Sequence, residues 1–164
     1  MTQPFRSLLW DSKLDSEMNV RYWGFLGRYY ANWEKFWKIF LALFSATSAL
    51  GSWVFFSSYP LAWRTLLGIS AVVAIALPFL DYSGIALKAS DQRGKWSRLQ
   101  SEYDILWARS EADPTLPIDN EFKQIQEAVA QTGRDEALLP LNERLRQKAY
   151  KEVYDLHKPN PSSQ

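Results

Sequence analysis

The chain has 164 residues, a formal net charge of +1 at pH 7 and no cysteine. That length fits one domain, and the missing thiols exclude disulfides, thiolate catalysis and cysteine-based zinc sites. A near-neutral balance offers no global field for a polyanion, so no direct nucleic-acid binding is expected.

The mean hydropathy of −0.29 averages an apolar middle with two polar flanks. The opening segment, residues 1–35, mixes charges with aromatics. It has no short apolar run followed by a small-residue cleavage site, so no cleavable signal peptide is expected. Leu14, Met18, Tyr22, Phe25, Tyr29, Trp33, Phe36 and Phe40 recur at steps of three and four, which is one helical face. Asp15 or Ser16 is placed to cap its start. The helix either lies flat in a membrane interface, aromatics on one side and cations on the other, or runs straight into the segment that follows.

Residues 39–63 carry no charge, Arg64 interrupts, and residues 65–80 are charge-free again. A hydrocarbon core about 30 Å thick needs roughly 20 mostly apolar residues per helix. Residues 36–57 and 61–80 meet that length, with a tight turn at 58–60. The pattern predicts an all-α membrane protein: a two-helix transmembrane hairpin over 36–81, an N-terminal aromatic-basic helix, and cytoplasmic helices over 82–157. Arg21, Arg28, Lys35 and Lys38 precede the hairpin, and Lys88, Arg93, Lys95 and Arg98 follow it. The positive-inside rule then puts both termini in the cytoplasm of a multi-pass inner-membrane protein. Trp33 and Trp37 would anchor the inner interface, Trp53 and Trp63 the outer one, and Arg64 would snorkel outward. Ser45, Ser48, Gly51 and Ser52, with Gly68, Ala71 and Ala74, form a small-residue face. It would either pack against another helix or line a water path when several hairpins assemble. Pro78 is expected to kink the second helix.

Beyond the hairpin, Ile85, Ala89, Gln92, Trp96, Leu99, Tyr103 and Leu106 alternate steps of four and three, a heptad-like seam. Ile85, Trp96, Leu99, Tyr103 and Leu106 are its candidate oligomer contacts. A helix over 82–110 should end at Pro114 and Pro117. Asp119 or Asn120 then caps a helix with Phe122, Ile125 and Val129 on one face, and Gly133 closes it. Pro140 suits the first turn of a last helix. Its stripe, Leu141, Leu145, Ala149, Val153 and Leu156, either packs on the 82–110 helix or serves as a groove ligand for a soluble partner. Residues 158–164 read as a disordered tail.

Little of this points to chemistry. His157 is the single histidine, and it stands in a last helical turn, where a cation suits the helix dipole. Asp91, Glu102, Asp104 and Glu111 alternate with Lys and Arg as a solvated face does. The glycine spacing of a phosphate-cradling loop is missing around Gly94 and Lys95. No enzyme activity, cofactor or metal is expected.

The order of parts carries a resemblance. An aromatic-basic helix (Arg21-Tyr22-Trp23 through Arg28-Tyr29-Tyr30) is followed by a tight hairpin. Then comes Lys95-Trp96-Ser97-Arg98-Leu99-Gln100-Ser101-Glu102-Tyr103. Over about residues 8–109 this resembles the SLATT class of bacterial two-transmembrane effector domains, and two-transmembrane effectors of retron systems look similar. The resemblance implies an antiviral defence effector, a toxin that oligomerises and permeabilises or depolarises the inner membrane by pore formation. Its partners would be the lipid bilayer, further copies of the chain, and a sensor protein or RNA–protein complex that triggers it. The alternative reading is a non-enzymatic membrane anchor or scaffold that recruits a soluble partner through its C-terminal helices.

Overall fold

The computed structural model describes residues 3–51, 60–113, 115–137 and 139–158. Every regular element among them is helical: α1 (Gln3–Gly51), α2 (Pro60–Ala76), a 3-10 turn (Leu77–Leu80), α3 (Tyr82–Ala112), α4 (Asp119–Glu136) and α5 (Glu143–His157).

The expected transmembrane hairpin is overturned. Among the described residues, no helix is long and apolar enough to cross a membrane. α2 has 17 residues, short of the roughly 20 a span needs. It gives way to the 3-10 turn that carries Pro78 in its first positions, because proline has no N–H to continue an α-helix. In α1 the charge-free stretch begins only after Glu34, Lys35 and Lys38. The rest of the expected first span, residues 52–57, lies outside the described residues. The multi-pass inner-membrane placement, the orientation and the pore-forming role rested on that hairpin and are corrected with it.

The chain divides into two compact units. One is Met1–Gly27 with Leu87–Gln164; the other is Arg28–Ala86.

In the first unit, α1 starts well before the expected cap. Asp15 and Ser16 are interior to it, and Ser16 is buried with its hydroxyl donating to the Lys13 carbonyl at 2.7 Å. The buried face runs through Leu9, Ser16, Trp23 and Leu26, with Tyr22 beside them. Leu14, Met18 and Phe25 are only half-buried at its edge. α3 buries Ala89, Gln92, Trp96, Leu99, Tyr103, Leu106 and Ser110. That spacing keeps one stripe turned inward over more than five turns. Ile118, Phe122 and Ile125 add the apolar contribution of α4. α4 begins at Asp119 itself, after Ile118, with Asp119 and Glu121 in the first turn where carboxylates suit the helix dipole. It runs through Gly133 to Glu136, and among the described residues no glycine takes a positive φ, so Gly133 does not close it. Pro140 precedes α5 rather than opening it. Asn142 is the cap, its side-chain oxygen accepting from the Leu145 N–H at 3.3 Å.

In the second unit the aromatic rings of α1 form a ladder. Trp33 and Trp37 stack at 6.3 Å, and Phe36 and Phe40 at 6.3 Å. Asp81 sits between the 3-10 turn and α3 in the left-handed region (φ 38°, ψ 41°), a conformation aspartate tolerates better than most residues. Its carboxylate accepts from the Gly84 N–H at 3.1 Å and its carbonyl from the Ile85 N–H at 3.0 Å. A side chain at position 84 would collide with that carboxylate, so the cap requires glycine there.

The register of α3 is testable by neighbouring truncations. Leu106 is 2% exposed and Ile105 60%. Leu106→Ala should cost about 2–5 kcal/mol of stability by leaving a core cavity. Ile105→Ala should stay within about 0.5 kcal/mol. Chemical denaturation of the two variants measures both.

Candidate interaction surfaces

α1, α3 and α4 converge on one carboxylate. The indole N–H groups of Trp23 and Trp96, both buried, donate to the same Glu136 oxygen, Trp23 at 3.0 Å. Farther along the bundle the Gln126 amide donates to the Ser12 hydroxyl at 3.2 Å and to the Tyr103 hydroxyl at 3.0 Å. Burial pushes the Tyr103 hydroxyl above its usual pKa. The end of the core is aromatic: Phe5 meets Phe122 edge-on at 5.2 Å, and Trp10 meets Trp107 at 5.0 Å.

α5 is held on α1 by polar contacts. The Tyr22 hydroxyl accepts from the Asn142 N–H at 3.1 Å, just where α5 begins. Arg21 bridges Glu17 of α1 (2.8 Å) and Glu152 of α5 (3.4 Å). His157 lies 2.9 Å from Glu17 and sets its ring edge-on to Trp10 at 5.4 Å. The Lys148 ammonium sits 4.5 Å from the centre of the Phe25 ring. Burial pushes the Glu17 carboxyl up. The hydrogen bonds and charges of His157 and Arg21 outweigh it, so the net shift is below the ordinary value of 4.5.

Between these helices lies a cleft of 260 Å³ with Leu14, Met18 and Val153 on its walls and Trp10, Tyr150, Tyr154 and His157 around them. Tyr150 and Tyr154 stack at 6.4 Å and remain exposed, as do Leu141 and Leu156. The predicted α5 stripe is therefore split: Ala149 and Val153 pack inward and its two ends do not. Asp15 lines the same cleft, its carboxyl raised above the ordinary value by burial and by the negative charge of Asp11, while Arg146 opposes them.

A second groove, of 610 Å³, runs between α3 and α4. Leu99, Leu106, Ile125 and Ala128 line it together with Lys95, Arg98, Glu102 and Glu121. Its ends are laced by Lys95 to Asp135 at 2.8 Å and Arg109 to Glu121 at 2.6 Å, so α4 runs antiparallel to α3.

The structure separates the residues that the sequence groups as sites. Trp96, Leu99, Tyr103 and Leu106 are buried inside their own chain. They are core rather than a seam open to another copy. Ile85 is half-buried in the other unit. Trp33 is exposed, Trp37 is half-buried and Arg64 is exposed. Gly68, Ala71 and Ala74 are exposed on α2, and a side chain at Gly68 would meet nothing within 4 Å. Gly51 ends α1. Ser52 and Trp53 lie outside the described residues, as do the side chains of Ser45, Ser48 and Trp63 within their helices. The sequence reading missed Glu136, Asn142 and Gln126. For Glu136 a signal existed: a carboxylate in the last turn of a helix opposes the dipole and needs another reason to be there.

Among the described residues, no group of three or more His, Asp or Glu side chains could hold a metal ion. His157 and Glu17 form a paired base and carboxylate, and Trp10, an apolar ring, faces the imidazole. No family model, curated protein or solved structure matches this chain.

Two outcomes follow for stability. Glu136→Ala leaves two buried indole donors unpaired and should cost about 2 kcal/mol or more; Glu136→Gln keeps an acceptor oxygen and should cost less. Thermal unfolding separates them. The lowered Glu17 pKa means its contribution is complete above 4.5, the ordinary value, and is lost as the pH falls through the lower folded value. Glu17→Gln should therefore lower Tm at pH 7, and the difference should shrink in melts recorded progressively below the ordinary value.

Proposed function

We infer that this chain is a non-enzymatic assembly protein. Its Arg28–Ala86 unit joins further copies through apolar helices, and its other unit receives a partner at the α1/α5 cleft. The observation that carries this reading is the surface of α2 and the turn after it. Leu61, Ile69, Val72, Ile75 and Phe79 are 58–84% exposed. Apolar surface in water is unfavourable by about 25 cal/mol per Å², and a contiguous patch of it marks a contact site. Large side chains and the small residues Gly68, Ala71 and Ala74 are exposed on the same helix. The large positions of one copy therefore have a small-residue strip on another to pack against.

The cleft favours an amphipathic partner helix. Apolar walls receive its anchors, and Asp15 and Lys158 at the lining offer a carboxylate and an ammonium to its polar face. A sensor-triggered effector of a bacterial defence system is the second reading. It is favoured by the coexistence of an association surface and a separate docking cleft, at which a sensor protein or RNA–protein complex would hold the chain until released. Neither reading includes a membrane span.

Sedimentation of the full chain tests the assembly. Self-association is expected, and Val72→Glu with Ile75→Glu should weaken it at least about tenfold, or 1.4 kcal/mol. A chain that stays monomeric at the highest accessible concentration would overturn the reading.

A further inference from the structure

The exposed edge of α3 beside its groove has a charge order complementary to its own reverse. Asp91, Lys95, Arg98, Glu102, Ile105 and Arg109 follow one another at steps of four, three, four, three and four. These steps place them on one stripe of the helix. Turned end for end about a point between Arg98 and Glu102, the stripe sets Arg98 opposite Glu102, Asp91 opposite Arg109 and Lys95 opposite Ile105. A twofold contact demands this reciprocity, in which residue i meets j and j meets i.

The structure makes the stripe available. Arg98, Glu102 and Ile105 stand on the wall of the 610 Å³ groove, above an apolar floor that includes Leu99, Leu106 and Ile125. Arg98 is 83% exposed in its side chain, and Ile105 is a large apolar residue left 60% exposed. The pairing of Arg98 with Glu102 within the chain, at 3.0 Å, is an exposed i,i+4 contact. Such pairs contribute only a few tenths of a kcal/mol, so exchanging them for intermolecular pairs loses little. Arg109 is held by Glu121 at 2.6 Å, so the exchange falls on Arg98 and Glu102. Lys95 is already bound by Asp91 at 3.1 Å and Asp135 at 2.8 Å. Its charge is met at home, and its aliphatic stem can lie against an apolar neighbour, which the reversed stripe supplies as Ile105.

We propose that the α3/α4 groove is the docking surface for a second copy of this chain, seated antiparallel so that Arg98 and Glu102 of each copy pair with Glu102 and Arg98 of the other. This contact is distinct from the apolar surface of the Arg28–Ala86 unit and rests on charge order and groove geometry.

Charge reversal in the full-length chain tests it. Arg98→Glu makes both positions negative, and Glu102→Arg makes both positive. Each variant alone should self-associate about tenfold or more weakly than the wild type, because like charges then face each other. An equal mixture of the two should associate nearly as tightly as the wild type, since every facing pair is again opposite in sign. Sedimentation with one chain fluorescently labelled measures all four combinations. Circular dichroism confirms that each variant is folded, as expected for exposed side chains.

The pattern of two weak and one rescued combination supports the proposal. A change within a single chain cannot restore binding only on mixing. Equal affinity in all four combinations would overturn it and leave the apolar unit as the assembly surface. Absence of association in all four would overturn both. A mixture no tighter than the single variants would overturn the antiparallel pairing.

Discussion

The Glu136 carboxylate is the constraint on which the bundle depends. Two indoles are buried on facing helices, Trp23 on α1 and Trp96 on α3, and each needs an acceptor. The oxygen that both use comes from the last turn of α4. That shared bond fixes where the end of α4 lies along α3. The Lys95–Asp135 pair falls beside it, and the antiparallel course that creates the α3/α4 groove follows. Tyr22 adjoins Trp23, and its hydroxyl takes the backbone N–H where α5 starts. The α1/α5 cleft is thus positioned by the neighbour of the residue that positions the groove.

The two units satisfy their surfaces differently. In the one built from Met1–Gly27 and Leu87–Gln164, a shared apolar core is closed and the outer faces are laced by ion pairs such as Arg6 to Glu111 and Lys13 to Asp104, with Ile105, Tyr150, Tyr154 and Leu156 left outside. In Arg28–Ala86, large apolar residues such as Ile69, Val72 and Phe79 are outside. A chain so divided has one part with its own closed core and one whose apolar surface gains by contact. This contrast is the physical basis for reading it as an assembly protein.

Legibility in the sequence varied with how far apart the interacting residues are. The α3 stripe was readable because its periodicity repeats over many turns and because burial follows periodicity. Its role was misassigned: a heptad-like seam looks the same whether its partner is another chain or α1 and α4. On α1 the aromatic residues drew the predicted face toward Leu14, Met18 and Phe25, yet small Ser16 is fully buried, as are Leu9 and Leu26. Close packing against neighbouring helices favours a small residue there over a ring. The hairpin misled for another reason. Charge-free length reports hydrophobicity but not where a helix stops, and Pro78 with the left-handed Asp81 breaks the run. Of the cleft, the apolar positions of α5 were visible, whereas Asn142, Glu17 and Asp15 acquire their roles from contacts across the chain.

Local information was enough for helical content, for the breaks near the prolines and for the inward stripe of α3, because backbone preference and 3.6-residue periodicity act within a few turns. Tertiary structure alone decided which helix each stripe meets, that Glu136 serves two tryptophans, and which apolar residues stay exposed. Trp23 and Glu136 are 113 positions apart, and a hydrogen bond over that distance is specified by the packing of whole helices, which no local pattern encodes.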